Sequence, residues 1–247
     1  MYPIFLYFYT QNPSSFFMTT EKITLEVCAN SVESALAGQA GGAVRIELCD
    51  NLAVGGVTPP LEQIQLTRKS VDIQLYVIIR PRGGDFVYDN VEFETMKRDV
   101  QLCGEEGCDG VVIGILTPNG DIDTRRCAEL IQIARKFSMG VTFHRAFDCC
   151  RDQFQSLEDI INLGCDRILT SGGKNSALEG AAVIKQLIDR AAGRISIMPG
   201  AGITVENISE LVRITGLKEF HGSFQSNLLT DTNKVKEVIS IANNVIF

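Results

Sequence analysis

Two strand-like segments of the sequence carry a carboxylate and a thiol at alternate positions. Glu26 and Cys28 lie in the run TLEVCA, and Glu47 and Cys49 lie in the run RIELCD. Side chains two residues apart on a strand point to the same face, so each segment presents one acidic group and one sulfur together. Thiolates are soft metal ligands, whereas carboxylates suit general acid and base chemistry. The repeated pattern therefore indicates either a metal site or an acid–base site.

Further groups that could bind or react follow other strand-like runs. Both histidines of the chain, His144 in VTFHRAFD and His221 in EFHGS, alternate with apolar neighbours. The run IIRPRGGD places glycines beside charged residues, and glycine lets the backbone turn tightly next to a ligand. Glycine-rich turns can also bind an anion through backbone N–H groups. We predict anion or substrate binding by Arg82, Gly83, Gly84, Asp85, Arg145, Gly172, Gly200 and Gly202.

The elements that must position these residues repeat along the chain as apolar runs of strand length alternating with helical patterns. Eight strands are predicted, over residues 23–29, 45–50, 75–81, 110–116, 140–147, 167–171, 195–199 and 219–224. Eight helices are predicted, over residues 32–39, 60–69, 91–106, 123–137, 154–163, 177–192, 205–214 and 233–242. This order predicts a single-domain α/β fold, the (β/α)8 TIM barrel. An open doubly wound sheet is disfavoured because no glycine-rich turn follows the first strand.

Strand alternation also predicts which side chains point into the barrel. The apolar set of the first strand must face the helices, so the polar set faces the interior. The same rule predicts inward positions for Glu26, Cys28, Arg45, Glu47, Cys49, Thr142, His144, Glu219 and His221. Buried carboxylates need positive or hydrogen-bonding partners, and Arg45, Arg80 and His144 are the candidates. A closed salt-bridge network and an active site at the C-terminal ends of the strands both remain open.

Composition excludes several classes of partner. The 247 residues carry a net charge of -7 without a Lys/Arg cluster, so neither nucleic acid nor a membrane surface is an expected partner. The eight cysteines are spread along a long α/β pattern and form no CxxC pair, which predicts reduced thiols in a cytoplasmic protein. Residues 1–17 are predicted to be an N-terminal extension outside the fold, and the barrel is predicted over residues 18–247. The repeat leaves both a monomer and a homo-oligomer open.

Several longer motifs resemble those of a known family. The segments EVCANSVESALAGQAGGAVRIELC, GGVTP, IIRPRGGDFVY, VTFHRAFD, LTSGG, ALEG and EFHGS are similar, in this order, to motifs of the copper homeostasis protein CutC family. The similarity runs from about residue 25 to residue 223. It implies a cytosolic (β/α)8 barrel associated with copper, and it implies Cys28 and Cys49 as ligands of Cu(I).

Two functional hypotheses follow. In the first, Cys28 and Cys49 bind a copper ion as Cu(I), and His144 or His221 adds a nitrogen ligand. In the second, the barrel is an enzyme that acts by general acid–base chemistry on a small anionic or carbonyl substrate. Glu47 would then be the base, His144 the proton carrier and Arg80 the group that holds the anion.

Overall fold

Eight parallel strands enclose a barrel in the computed structural model, which describes residues 22–245. They are β1 Thr24–Ala29, β2 Arg45–Leu48, β3 Gln74–Ile78, β4 Gly110–Ile113, β5 Gly140–Phe143, β6 Arg167–Thr170, β7 Ser196–Pro199 and β8 Glu219–Gly222. Hydrogen-bonded neighbours follow the order β7-β6-β5-β4-β3-β2-β1-β8. This arrangement confirms the predicted TIM barrel. The predicted extension over residues 1–17, and the start of the domain at residue 18, lie outside the described residues.

Eight helices surround the strands. They are α1 Val32–Gly41, α2 Leu61–Ser70, α3 Asn90–Glu105, α4 Thr124–Lys136, α5 Gln153–Leu163, α6 Ala181–Ala191, α7 Ile208–Thr215 and α8 Thr232–Asn243. Short polar side chains begin many of them: Ser31 caps α1, and Asp89 forms a capping box with Glu92 at α3. Within residues 22–245, no helix combines the length and the apolar character needed to cross a membrane.

Several predicted strands extend too far at their C-terminal ends. The predicted strand over residues 140–147 ends at Phe143, and a 3-10 helix follows over Arg145–Cys149. A short hairpin, β9 Gln225–Ser226 and β10 Leu229–Thr230, follows β8 and was not predicted. The apolar pattern continues past the strands because the first residues of these loops are also buried, as Ala146 and Phe147 are. Periodicity alone cannot separate a strand from a buried loop.

Buried apolar side chains form two separate groups. The larger group lies between strands and helices and includes Leu25, Val27 and Ile46. The smaller group lies on the opposite face of the strands, inside the barrel, and consists of Cys28, Cys49, Tyr76, Ile78 and Val112. The alternation predicted for β1 and β2 therefore places their sulfurs in the barrel interior.

A buried ionic network fills the barrel near the N-terminal ends of the strands. The guanidinium of Arg45 donates to Glu26 and, over 2.7 Å, to Glu219. Arg167 donates to the same Glu219 carboxylate over 3.3 Å. Ser196 on β7 also donates to Glu219 on β8, so side chains connect the two strands that end the hydrogen-bonded order. The sequence left open whether the inward charges form a closed salt-bridge network or an active site. Glu26 and Arg45 form a salt-bridge network.

Tyr76 completes this network, and two glycines give it room. The centroid of its ring lies 5.3 Å from the guanidinium carbon of Arg45 and 5.3 Å from that of Arg167. A Cβ atom at Gly110 would overlap the ring, and one at Gly140 would overlap the hydroxyl. Cation–π contacts of this kind contribute most where water is excluded.

Gly140→Ala is expected to lower the free energy of unfolding by about 1–3 kcal/mol, because an added methyl group in a filled interior forces side chains out of their rotamers. Urea denaturation followed by circular dichroism measures the change. Gly107→Ala provides a comparison without steric overlap, since a Cβ there would meet nothing within 4 Å, and the φ of +74° gives it only the backbone strain of a left-handed residue, about 1 kcal/mol. A Gly140→Ala variant as stable as the wild type would contradict the packing argument.

Candidate metal centre and cavity

A cavity of about 500 Å³ opens at the C-terminal ends of the strands. This is the end at which TIM-barrel proteins hold their ligands, and the volume suits a small molecule. Eight of the residues singled out from the sequence line it: Cys28, Glu47, Cys49, Arg80, His144, Arg145, Gly202 and His221. The cavity therefore brings together the candidate metal ligands and the candidate acid–base groups.

Cys28 and Cys49 are in direct contact at the inner end of the cavity. Cys28 lies near the end of β1 and Cys49 directly after β2, and their Sγ atoms are 3.4 Å apart. Only 8% of Cys28 and 1% of Cys49 are exposed. The Cys49 thiol donates to the backbone carbonyl of Ala29 over 3.6 Å. The thiol contact with Cys49, then burial, then the nearby Glu47 carboxylate raise the pKa of Cys28 well above its usual value.

Glu47 and His221 approach the Cys28 sulfur. The ligand atoms of Cys28, Glu47 and His221 lie within 4.8 Å of one another, and all three side chains are buried. His221 Nε2 is 3.5 Å from Glu47 Oε2. Burial raises the pKa of Glu47, although His221 opposes the shift. A sulfur, a carboxylate and an imidazole thus share one small volume.

Glu26 orients the His221 ring from the other side. His221 Nδ1 lies 2.8 Å from Glu26 Oε1. Burial disfavours the charged form of Glu26, but Arg45 and the hydrogen bond from His221 hold its pKa far below the usual range. Burial also disfavours a charged His221, yet Glu47 and Glu26 together raise its pKa. An imidazole that donates from Nδ1 to a carboxylate can present Nε2 to a metal, the usual arrangement behind a histidine ligand.

Arg80 lies on the cavity wall and binds backbone oxygens. Its guanidinium donates to the carbonyls of Val54 at 2.8 Å, Gly56 at 2.9 Å and Gly84 at 2.9 Å. The first two carbonyls belong to the loop that follows β2, so Arg80 holds that loop against the end of β3. Its Nε is buried and has no hydrogen-bond partner within the described range of the chain.

His144 is neutral in its surroundings. Its Nδ1 accepts the backbone N–H of Ala146 over 3.1 Å. Burial, with a further contribution from the charge of Arg80, lowers the pKa of His144 to about 3. With Nδ1 accepting, the proton of the neutral ring lies on Nε2, and this buried atom has no hydrogen-bond partner among the described residues. A ring that stays neutral at physiological pH suits a hydrogen-bond donor better than the proton carrier predicted from the sequence.

The backbone N–H groups of the glycine-rich turn after β6 already have hydrogen-bond acceptors within the protein. Asp148 accepts the N–H groups of Ser171 and Gly173, and Thr170 Oγ1 accepts the N–H of Gly172. The N–H of Gly200 is bonded to the carbonyl of Thr170. Gly172 and Gly200 do not belong to the cavity lining, whereas Gly202 does. The N–H groups predicted to bind an anion here therefore donate largely to side chains and carbonyls of the protein itself.

Arg82 and its neighbours lie outside the cavity lining. Arg82 pairs with Glu92 over 2.6 Å and with Asp85 over 3.0 Å, and it is partly exposed. Gly83 packs against Val54, and Gly84 lends its carbonyl to Arg80. Arg145 does line the cavity, where it pairs with Asp148 over 2.8 Å.

Sequence reasoning missed part of the lining. The loop after β2 contributes Leu52, Val54 and the Gly55-Gly56 pair, and Phe86 lies beyond the IIRPRGGD motif. Gly55 and Gly56 both have positive φ, at 86° and 83°. Paired glycines directly after a predicted barrel strand are the signal that would have identified this loop.

Residues 23–226 match the sequence model of the CutC family. This chain belongs to the CutC family. A CutC family protein of Xylella fastidiosa strain 9a5c is 53% identical over 202 residues, which cover 82% of this chain and 75% of that protein. The copper homeostasis protein cutC homolog of Mus musculus is 49% identical over 203 residues, covering 82% of this chain and 74% of the mouse protein.

Solved structures agree with the barrel architecture. The crystal structure of a CutC protein from Streptococcus agalactiae has a TM-score of 0.77 and 38% identity, and the match covers 81% of this CutC chain and 98% of that one. An N-(5'-phosphoribosyl)anthranilate isomerase from Pyrococcus furiosus has a TM-score of 0.60 at 13% identity, covering 90% and 100% of the two chains. At such low identity the second likeness shows a shared fold alone.

Proposed function

We propose that this CutC protein acts in copper homeostasis by binding Cu(I) through Cys28 and Cys49. The observation that carries the proposal is the 3.4 Å separation of the two buried Sγ atoms at the inner end of an open cavity. Thiolates are soft ligands that favour Cu(I), as they also favour zinc and iron–sulfur clusters. The naming of the mouse relative as a copper homeostasis protein supports the same metal.

His221 is the proposed nitrogen ligand. Its Nδ1 is engaged by Glu26, which leaves Nε2 for the metal on the side where Cys28 and Glu47 lie. His144, the other candidate from the sequence, uses Nδ1 to accept a backbone N–H and does not belong to this cluster. The soft sulfurs select the metal, and the imidazole and the cavity wall shield it from water.

The protonation of the thiols in the metal-free protein is consistent with reversible binding of the metal. The raised pKa of Cys28 keeps its sulfur protonated in the metal-free protein, and the Cys49 thiol donates a hydrogen bond to the Ala29 carbonyl. Copper binding must release these protons, which opposes tight retention at low pH. We also propose a cytoplasmic location, because Cu(I) binding through Cys28 and Cys49 requires reduced thiols and the cytoplasm keeps thiols reduced.

An anaerobic titration with Cu(I) tests the proposal, with a chromophoric chelator as competitor. The wild type is expected to bind one equivalent, and the Cys28→Ser/Cys49→Ser variant is expected to bind at least about 100-fold more weakly, since loss of metal ligands removes the thiolate bonds. Sulfur-to-copper charge-transfer absorption should appear when the wild type binds Cu(I) and should be absent in the double variant, which gives an independent measure of the same site.

A second buried cysteine pair provides the matched control. Cys103 and Cys108 are also buried, and their mutual contact raises the pKa of Cys103. They lie apart from the cavity lining and have no histidine beside them in the described structure. The Cys103→Ser/Cys108→Ser variant should bind Cu(I) like the wild type. Equal loss of binding in both double variants, or unchanged binding in both, would overturn the assignment.

A further inference from the structure

Arg80 carries a buried positive charge that no carboxylate within residues 22–245 pairs with. Only 5% of the residue is exposed, and among residues 22–245 its hydrogen-bond acceptors are three backbone carbonyls. The other buried arginines of the barrel differ, because Arg45 and Arg167 both pair with Glu219. A buried ion without a counter-ion is costly unless something else supplies the opposite charge.

His144 adds an unsatisfied hydrogen-bond donor on the same wall. Its Nδ1 accepts a backbone N–H, so the neutral ring carries its proton on Nε2, which is buried and has no hydrogen-bond partner in the part of the chain that the structure describes. Only 3% of the residue is exposed. Buried polar atoms in native proteins nearly always have a partner, and an orphaned donor beside a cavity is a common sign of an absent ligand.

Phe86 joins the two residues into one surface. Its ring centroid lies 4.8 Å from the guanidinium carbon of Arg80 and 5.0 Å from the imidazole centroid of His144. All three residues line the cavity of about 500 Å³. Apolar neighbours such as Ile78, Leu169 and Ile203 complete the lining, so the space suits a small organic molecule rather than a bare ion.

We propose that the Arg80–Phe86–His144 surface binds a small organic anion, a carboxylate or a phosphate ester. The anion neutralises the Arg80 guanidinium and accepts a hydrogen bond from the His144 imidazole. Arrangements of this kind, with a fixed cation and a neutral N–H donor at an oxygen, hold anions in many barrel enzymes. The site shares the cavity with the thiols but uses none of the proposed copper ligands.

Calorimetric titration of the metal-free protein tests this proposal with two charged probes and their neutral counterparts. Pyruvate is compared with pyruvamide, and glycerol 3-phosphate with glycerol. Saturable binding of one anion at millimolar concentration, without binding of its neutral counterpart, is expected. The probe that binds identifies the anion as a carboxylate or a phosphate ester.

Three single variants and one double variant assign the binding to this surface. Arg80→Met and His144→Phe are expected to weaken binding about 10–100-fold each, because each removes one charge-assisted hydrogen bond. His144→Phe keeps the ring packing and therefore decides the question if Arg80→Met fails to fold. Arg82→Met is the matched control, since Arg82 pairs with Glu92 and Asp85 outside the cavity lining.

The Cys28→Ser/Cys49→Ser variant should keep full anion binding, which separates this proposal from the proposed copper function. Absence of saturable binding by both anions in the wild type would overturn the inference. So would binding that is unchanged in His144→Phe, or binding that is weakened equally in Arg82→Met.

Discussion

Replacing Glu219 with glutamine is expected to lower the free energy of unfolding by about 3–5 kcal/mol, which is the usual cost of removing one partner from a buried ion pair. Glu219 accepts hydrogen bonds from Arg45, Arg167 and Ser196. The amide of glutamine carries no charge, so two buried guanidinium groups would share Glu26 as their remaining carboxylate neighbour. Urea denaturation of the wild type and the variant measures the difference in unfolding free energy, provided that both proteins show the same m-value.

Glu158 provides the surface control for this prediction. It also bridges two arginines, Arg194 and Arg190, but its partners are about half exposed. Glu158→Gln is expected to lower the free energy of unfolding far less than Glu219→Gln does, because solvent screens such pairs. Comparable losses in the two variants would contradict the view that burial gives the Glu219 network its importance.

The pH dependence of the free energy of unfolding provides a second test of the Glu219→Gln prediction. Burial disfavours the charged form of Glu219, but Arg167 and Arg45 lower its pKa below the usual value. A lowered pKa stabilises the folded state above the ordinary pKa of a glutamic acid, about 4.3, and the stabilisation is lost as pH falls toward the folded value. The gap between the wild type and Glu219→Gln should therefore narrow on acidification below about pH 4.

The apparent affinity for Cu(I) is expected to rise about 100-fold for each pH unit near neutral pH, because two thiols must each release a proton to bind as thiolates. The raised pKa of Cys28 keeps its proton on the metal-free protein, and the Cys49 thiol donates a hydrogen bond to the Ala29 carbonyl. Competition titrations over a pH series, against a chelator of known pH dependence, measure the slope.

His221 should steepen this dependence at acid pH. Its raised pKa keeps the imidazole protonated there, and a third proton must leave before Nε2 can bind a metal. The wild-type slope should then approach about 1000-fold per pH unit, whereas His221→Gln should stay near 100-fold. An affinity that does not change with pH would exclude thiolate ligands, and identical slopes in the two proteins would exclude His221 as a ligand.

The sequence determined the fold and the inward faces of the strands. Eight alternating runs predict eight strands, and period-two alternation predicts that Glu26, Cys28, Glu47 and His221 point inward, as they do. Both are local properties, since the direction of a side chain on a strand depends on neighbouring residues along the chain. The longer motifs also identified the CutC family from the sequence alone.

Only the tertiary structure decided which inward groups meet. The sequence offered Arg45, Arg80 and His144 as partners for the buried carboxylates. Glu26 does pair with Arg45, but its other partner is His221, and Arg80 binds carbonyls of the loop after β2. Such pairings depend on how far each strand is shifted along its neighbours around the closed barrel, and on the path of the loops at its mouth. The 3.4 Å contact between Cys28 and Cys49 and the neutral state of His144 arise from the same long-range geometry, which alternation along one strand does not contain.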